Sequence, residues 1–158
     1  MFDVLQEQIE IIRKYQQSAP VDVVSIARDL RINVYTAVGD ENLSGKIVKS
    51  SQFGGESGYA IFVNKKSNIV RQRFTIAHEI AHYLLHKEAI GDGIVEDALY
   101  RSGLSNKMEA EANRFAAEIL MPWNLINIYM SDGVTIPKLA SIFQVSESAM
   151  SIRLGVPG

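Results

Sequence analysis

The sequence predicts an α+β fold: a small N-terminal β-sheet packed on helices, followed by a helical remainder. Three observations carry this expectation. Between residues 31 and 66, short apolar segments stand between Gly-rich breaks, as strands do. Residues 69–86 and 106–121 instead place apolar side chains at the spacing of a helix face. Both ends of the chain, 1–30 and 135–155, also read as helical.

Length and composition bound the function. At 158 residues the chain is expected to form a single domain, 1–158, with a sizeable core. It is 47% hydrophobic and 22% charged, ordinary for a soluble globular protein. A net charge of −2 offers no basic footprint, so direct nucleic-acid binding is not expected. Cysteine is absent, which excludes disulfides, cysteine-ligated zinc and a thiol nucleophile. No apolar run approaches the ~20 residues of a membrane span. The start, Met1-Phe2-Asp3-Val4, lacks the basic and apolar regions of a secretory leader, and the expected compartment is the cytoplasm.

In chain order, residues 3–17 read as an amphipathic helix with Leu5, Ile9 and Ile12 on one side. Pro20 separates it from a short helix over 21–30. Residues 32–36 alternate as a strand, Gly39-Asp40-Glu41-Asn42 form a turn, and 43–50 make a second strand. The run Gly54-Gly55-Glu56-Ser57-Gly58 turns a hairpin into Tyr59-Ala60-Ile61-Phe62-Val63, the clearest strand of the chain. Ser67 or Asn68 stands at the cap position of the helix over 69–86. Residues 88–104 hold Gly91, Gly93 and Gly103 without a period and are expected to be irregular. Asn106 and Glu109 then stand at capping-box spacing, opening a helix that stops at Met121-Pro122.

The helix over 69–86 carries the chemistry. His78-Glu79-Ile80-Ala81-His82 is H-E-x-x-H, which puts two imidazoles on one helix face a turn apart. His78 and His82 can share one divalent metal, with Glu79 beside them as general base, the pattern of a catalytic zinc site. On a wheel of about 100° per residue, Phe74, Ala77, Ala81, Leu84 and Leu85 form an apolar sector, which Ile76, Ile80 and Tyr83 extend. Thr75, His78, Glu79, His82 and His86 remain as one narrow polar stripe. A mostly buried helix with such a stripe is costly unless the stripe is paired or binds metal. His86, one turn past His82, is expected to be a solvated helix-end residue favoured by the macrodipole.

A catalytic zinc site keeps three protein ligands and one open position. The helix over 106–121 offers Glu109 and Glu111 as the third. Within about 60° of Glu109 lie Ala112, Asn113, Ala116 and Leu120, whereas Glu111, Arg114 and Glu118 gather on the other side. Glu109 is therefore the expected ligand and Glu111 a member of a solvated charged face. Asn113, one turn on, is expected to hold the ligand carboxylate by a hydrogen bond.

Two blocks of this sequence resemble the ImmA/IrrE-type metallopeptidases. They are Arg71-Gln72-Arg73-Phe74-Thr75-Ile76-Ala77-His78-Glu79-Ile80-Ala81-His82-Tyr83-Leu84-Leu85-His86 and Glu109-Ala110-Glu111-Ala112-Asn113-Arg114-Phe115-Ala116-Ala117-Glu118-Ile119-Leu120-Met121-Pro122. Ile61-Phe62-Val63-Asn64 also looks like the strand that precedes the family's motif helix, and the likeness runs over about residues 20 to 155. The resemblance implies a zincin-like fold, one Zn2+ held by His78, His82 and Glu109, and Glu79 as catalytic residue. It further implies a protein partner: a helix-turn-helix transcriptional regulator of a bacterium or phage, cleaved to relieve repression. Larger members add a C-terminal sensor domain, for which no room is expected here.

Two other classes stand beside the endopeptidase. One is a non-proteolytic binding module, such as an antitoxin or repressor component, that uses the metal for folding; the intact Glu79 argues against it. The other is a zinc amidohydrolase of small amides, separated only by substrate. Oxyanion stabilisation falls to His86, a Tyr, an Arg, an Asn or backbone N–H groups. The C-terminal helices, around residues 136–143 and 147–154, have the outline of a helix-turn-helix. With Lys138 and Arg153 as their only cations they lack what phosphate contact needs, and are expected to pack on the catalytic core or dock a partner protein.

Overall fold

The computed structural model describes residues 4–38, 43–91, 93–97 and 105–156; the turn expected at 39–42 and residues 98–104 lie outside them. In chain order the elements are α1 (Gln6–Lys14), α2 (Val23–Asp29), β1 (Asn33–Ala37), β2 (Leu43–Lys49) and β3 (Tyr59–Asn64). There follow α3 (Ile69–Leu85), α4 (Lys87–Ile90), β4 (Gly93–Asp97) and α5 (Asn106–Leu120). The chain ends in α6 (Trp123–Tyr129), α7 (Ile136–Phe143) and α8 (Glu147–Leu154). The α+β architecture is the expected one.

The sheet has the order β1-β3-β2-β4. Central β3 is parallel to β1 and antiparallel to β2, and β2 is antiparallel to β4 at the far edge. Flanked on both sides, β3 is nearly all buried, which explains why it reads as a continuous apolar run. Helix α3 lies against β2 and β3, and α5 packs along α3. At the crossing of α3 and β2 only glycine fits. A Cβ at Gly45 would meet Thr75 Cγ2 at 2.6 Å and the Phe62 carbonyl oxygen at 2.7 Å.

Caps set the helix starts. The Asp22 side chain accepts from the Ser25 backbone N–H at 3.0 Å and from its hydroxyl at 2.7 Å at the head of α2. Asn68 caps α3 by accepting from the Arg71 N–H at 2.8 Å. Ser105, one residue before the expected position, caps α5 through the Met108 N–H at 3.1 Å.

Two stretches depart from expectation. Residues 88–104, expected to be irregular, take in most of α4 and all of β4. β4 draws its backbone partners from β2, a tertiary ladder that no local period announces. Helix α6 also begins directly after Met121-Pro122, because Pro122 is its N-cap rather than a barrier. Proline at a helix entrance sacrifices no intrahelical hydrogen bond.

The C-terminal pair packs into the same core as the sheet and α3. Leu139, Phe143, Val145 and Met150 belong to the same buried cluster as Ile47, Ile61, Ile76 and Leu120. Full burial of a side chain such as Phe143 is worth about 1.5–3 kcal/mol. Two guanidinium groups fasten the pair. Arg73 of α3 donates to the carbonyls of Phe143 at 3.4 Å and Gln144 at 3.3 Å. Arg153 of α8 donates to the Met121 carbonyl at 2.9 Å and lies 4.9 Å from the Trp123 ring centre. Among the described residues no helix is long and apolar enough to cross a membrane.

Candidate metal centre

From Thr75 to Leu84, α3 is buried without interruption, so its polar stripe is enclosed by protein. The four alanines Ala77 and Ala81 of α3 and Ala112 and Ala116 of α5 are all fully buried, and small side chains let the two helices lie close. That packing brings Glu109, in the first turn of α5, over the α3 stripe.

Three donor atoms converge there. His78 Nε2 and His82 Nε2 are 3.1 Å apart, and Glu109 Oε1 is 3.2 Å from the first and 3.4 Å from the second. Ligands at about 2.0–2.1 Å from a tetrahedral ion stand about 3.3–3.4 Å from one another. The observed triangle matches that spacing, and the three residues, all buried, could hold a metal ion. Burial alone would raise the Glu109 carboxyl, but its contacts with the His78 and His82 imidazoles outweigh burial and hold it well below the usual carboxylate range. Glu79 is fully buried on α3 beside His78.

Two residues expected to face solvent do not. His86 is only 7% exposed. Its Nδ1 lies 3.0 Å from His82 Nδ1, and its Nε2 lies 3.0 Å from Glu111 Oε1. Glu111 is therefore no solvated bystander: it is half-buried against His86, whose hydrogen bond pulls its carboxyl below the ordinary value. The reason lies in the helix end. His86 is the residue where α3 stops, its backbone N–H still bonded to the His82 carbonyl at 2.8 Å, and the Glu111 side chain of neighbouring α5 reaches it there. The spacing His78, His82, His86 already placed a third ring on the stripe, a signal that the macrodipole reading set aside. Asn113, expected to hold the Glu109 carboxylate, is exposed and lines the cleft instead.

The cleft opens beside His78 and encloses about 940 Å³. Phe74 and Thr75 of α3, Ala110 and Asn113 of α5, and Ala149 and Ile152 of α8 contribute to its walls. Arg71, Arg114 and Arg153 also line it, and no carboxylate does among the described lining residues.

A buried H-E-x-x-H helix, an acidic donor from a second helix and a cleft beside them define a domain of the metallopeptidase class. Comparison with known families agrees: the chain matches the IrrE N-terminal-like domain, a peptidase family, over residues 27–155, and it belongs to that family. It is 29% identical over 130 residues to a protein named "Uncharacterized immunity region protein 2" of Bacillus phage phi105, covering 82% of this chain and 75% of that one. It is likewise 29% identical over 102 residues to "Metallopeptidase ImmA" of Bacillus subtilis (strain 168), covering 63% of this chain and 57% of that protein's length. Membership of a metallopeptidase family implies a metal, for which His78, His82 and Glu109 are grouped.

Proposed function

We propose that this chain is a zinc-dependent endopeptidase, with His78, His82 and Glu109 as metal ligands and Glu79 as the acid–base residue. The observation that carries the reading is the donor triangle of 3.1–3.4 Å beside a fully buried glutamate. Two imidazoles and one carboxylate suit zinc, and three ligands leave a position open for chemistry. Bound there, the metal would supply Lewis acidity toward the scissile carbonyl and acidify a water.

The remaining steps belong to the chain's own groups. Glu79 takes the proton of the attacking water as the oxygen–carbon bond forms, then delivers it to the amine nitrogen as the carbon–nitrogen bond breaks. The protein around Glu79 excludes bulk water, so the proton has a defined acceptor. Of the groups considered for the oxyanion, Arg71, Asn113 and Arg114 line the cleft, while His86 is engaged behind His82.

The substrate we assign is a helix-turn-helix transcriptional regulator, cut in an extended segment that the cleft can receive. A relative named for a phage immunity region and another named a metallopeptidase support this pairing of regulation with proteolysis. The cytoplasm is the compartment where such a partner would be met. Direct DNA contact is not part of the proposal, since Arg153 is stacked on Trp123 and bonded to Met121 rather than free for phosphate.

The test is to incubate the zinc-loaded chain with candidate helix-turn-helix regulators, those encoded by neighbouring genes first, and follow each by mass. Discrete cleavage by wild type, lost in Glu79→Gln, is expected. A stable complex that is never cut would favour the binding-module reading.

A further inference from the structure

Behind the donor triangle runs a second line of contacts that the proposed chemistry does not use. His82 Nδ1, turned away from the triangle, is 3.0 Å from His86 Nδ1, and His86 Nε2 is 3.0 Å from Glu111 Oε1. His82 is fully buried and the His86 side chain nearly so, at 5% exposure, so water does not compete for the contact between the two rings, while the Glu111 side chain is 27% exposed.

We propose that His86 and Glu111 are positioning residues: a carboxylate–imidazole relay that holds His82 in the tautomer and orientation needed to bind the metal. The proposal rests on the metal reading above and goes beyond its three ligands and one base.

The direction of every hydrogen bond follows from one end. An ionised Glu111 has no proton to give, so its Oε1 accepts and His86 Nε2–H donates. A neutral imidazole carrying its hydrogen on Nε2 presents a lone pair at Nδ1. His82 must then donate from Nδ1–H, which leaves the lone pair of His82 Nε2 facing His78 and Glu109. The opposite tautomer of His82 would aim a hydrogen into the donor triangle and leave two lone pairs opposed at Nδ1. Metal-binding imidazoles commonly donate their other N–H to such a partner, which fixes the ring and raises its basicity. Here the partner is a second histidine, and the carboxylate stands one ring further out.

The arrangement also explains the spacing of two glutamates on α5. Glu109 and Glu111 leave the helix about 200° apart, one meeting the triangle and the other reaching round its flank to the end of α3. Ligand and support thus come from the same turn of the same helix.

The experiment measures zinc affinity by chelator competition for wild type, His86→Ala, Glu111→Gln, Glu111→Leu and the double variant His86→Ala/Glu111→Leu, with exposed Glu88→Gln as control. Cobalt-loaded samples supply a visible spectrum that reports ligand geometry, and metal-free thermal unfolding reports the fold. Expected are losses of about 10–100-fold for His86→Ala and Glu111→Leu, with a smaller loss for Glu111→Gln, whose amide oxygen still accepts. The double variant should be no worse than the poorer single one, and the cobalt bands should change in the same order. Because Glu111→Gln keeps volume and an acceptor, it carries the test if either larger change fails to fold. Wild-type binding with affinities and spectra unaltered in every variant, or strictly additive losses, would overturn the relay alone. Failure of wild type to bind zinc, or retention of binding by His82→Ala, would overturn the metal reading and the relay with it.

Discussion

Gly45 and Thr75 are packed so closely that a methyl group on Gly45 would stand 2.6 Å from Thr75 Cγ2. Thr75 precedes His78 by less than one turn of α3, so pressure at this point acts on the donor stripe itself. The Phe62 carbonyl blocks the alternative retreat at 2.7 Å. Gly45→Ala is expected to cost about 1–3 kcal/mol, as overpacking usually does, and to weaken metal binding along with the fold. Thermal unfolding and zinc titration of the variant check both effects.

Glu79→Gln should separate chemistry from structure. The amide keeps the volume of the side chain and leaves His78, His82 and Glu109 in place. Zinc content and partner binding are expected to persist, while cleavage falls by on the order of 10²–10⁴-fold. Single-turnover proteolysis with the loaded variant measures the fall; equal rates would remove Glu79 from the role of base.

Glu109→Gln should lower zinc affinity by at least the about 10–100-fold that even outer contacts command. Glu118, exposed on the same helix, provides the comparison. Glu118→Gln is expected to leave zinc affinity unchanged, and chelator competition on the pair reads the difference directly.

Much of this centre was legible because helix geometry makes side-chain spacing a statement about direction. His78, Glu79 and His82 needed only the H-E-x-x-H period, and the wheel set Glu109 apart from Glu111 by the small apolar residues around it. The same wheel misjudged Glu111, since it records where a side chain leaves its own helix and not which neighbour it then reaches. His86 was misread for a related reason: a helix end looks solvated until another helix is known to cover it. β4 and α6 escaped because one depends on a ladder with β2 and the other on a proline that serves as a cap. α7 and α8, whose periods and breaks are local, fell where the sequence placed them.

The cleft beside His78 carries three arginines, of which Arg153 is engaged by Met121 and Trp123, and, among its described lining residues, no carboxylate. Peptides with Asp or Glu near the scissile bond are therefore expected to be preferred. Arg114→Glu, an exposed change on the cleft wall, should lower kcat/KM for such peptides more than for neutral ones, and raised salt should mimic that loss of discrimination for wild type. A peptide series differing only in charge, assayed at two ionic strengths, tests this.

The cap of α2 offers a prediction in pH. The side-chain and backbone hydrogen bonds from Ser25 hold the Asp22 carboxyl below its ordinary value. A carboxyl lowered by folding contributes stability that is present above its unfolded pKa and is lost as pH falls through the folded one. Asp22→Ala should cost about 0.5–2 kcal/mol at neutral pH, and the gap to wild type should close in acid. Urea unfolding of both proteins from pH 7 downward follows the closure.

The walls of the cleft come from different parts of the chain. α3 and α5 carry the proposed chemistry, whereas α8 contributes Ser148, Ala149, Ile152 and Arg153 to the same space and supplies none of the three grouped donors. Ile152, 76% exposed, is under little packing constraint. Changes on this face of α8 can therefore accumulate at small cost to the donor triangle. A lineage built on this scaffold is free to vary what the cleft accepts while the donor triangle is inherited intact.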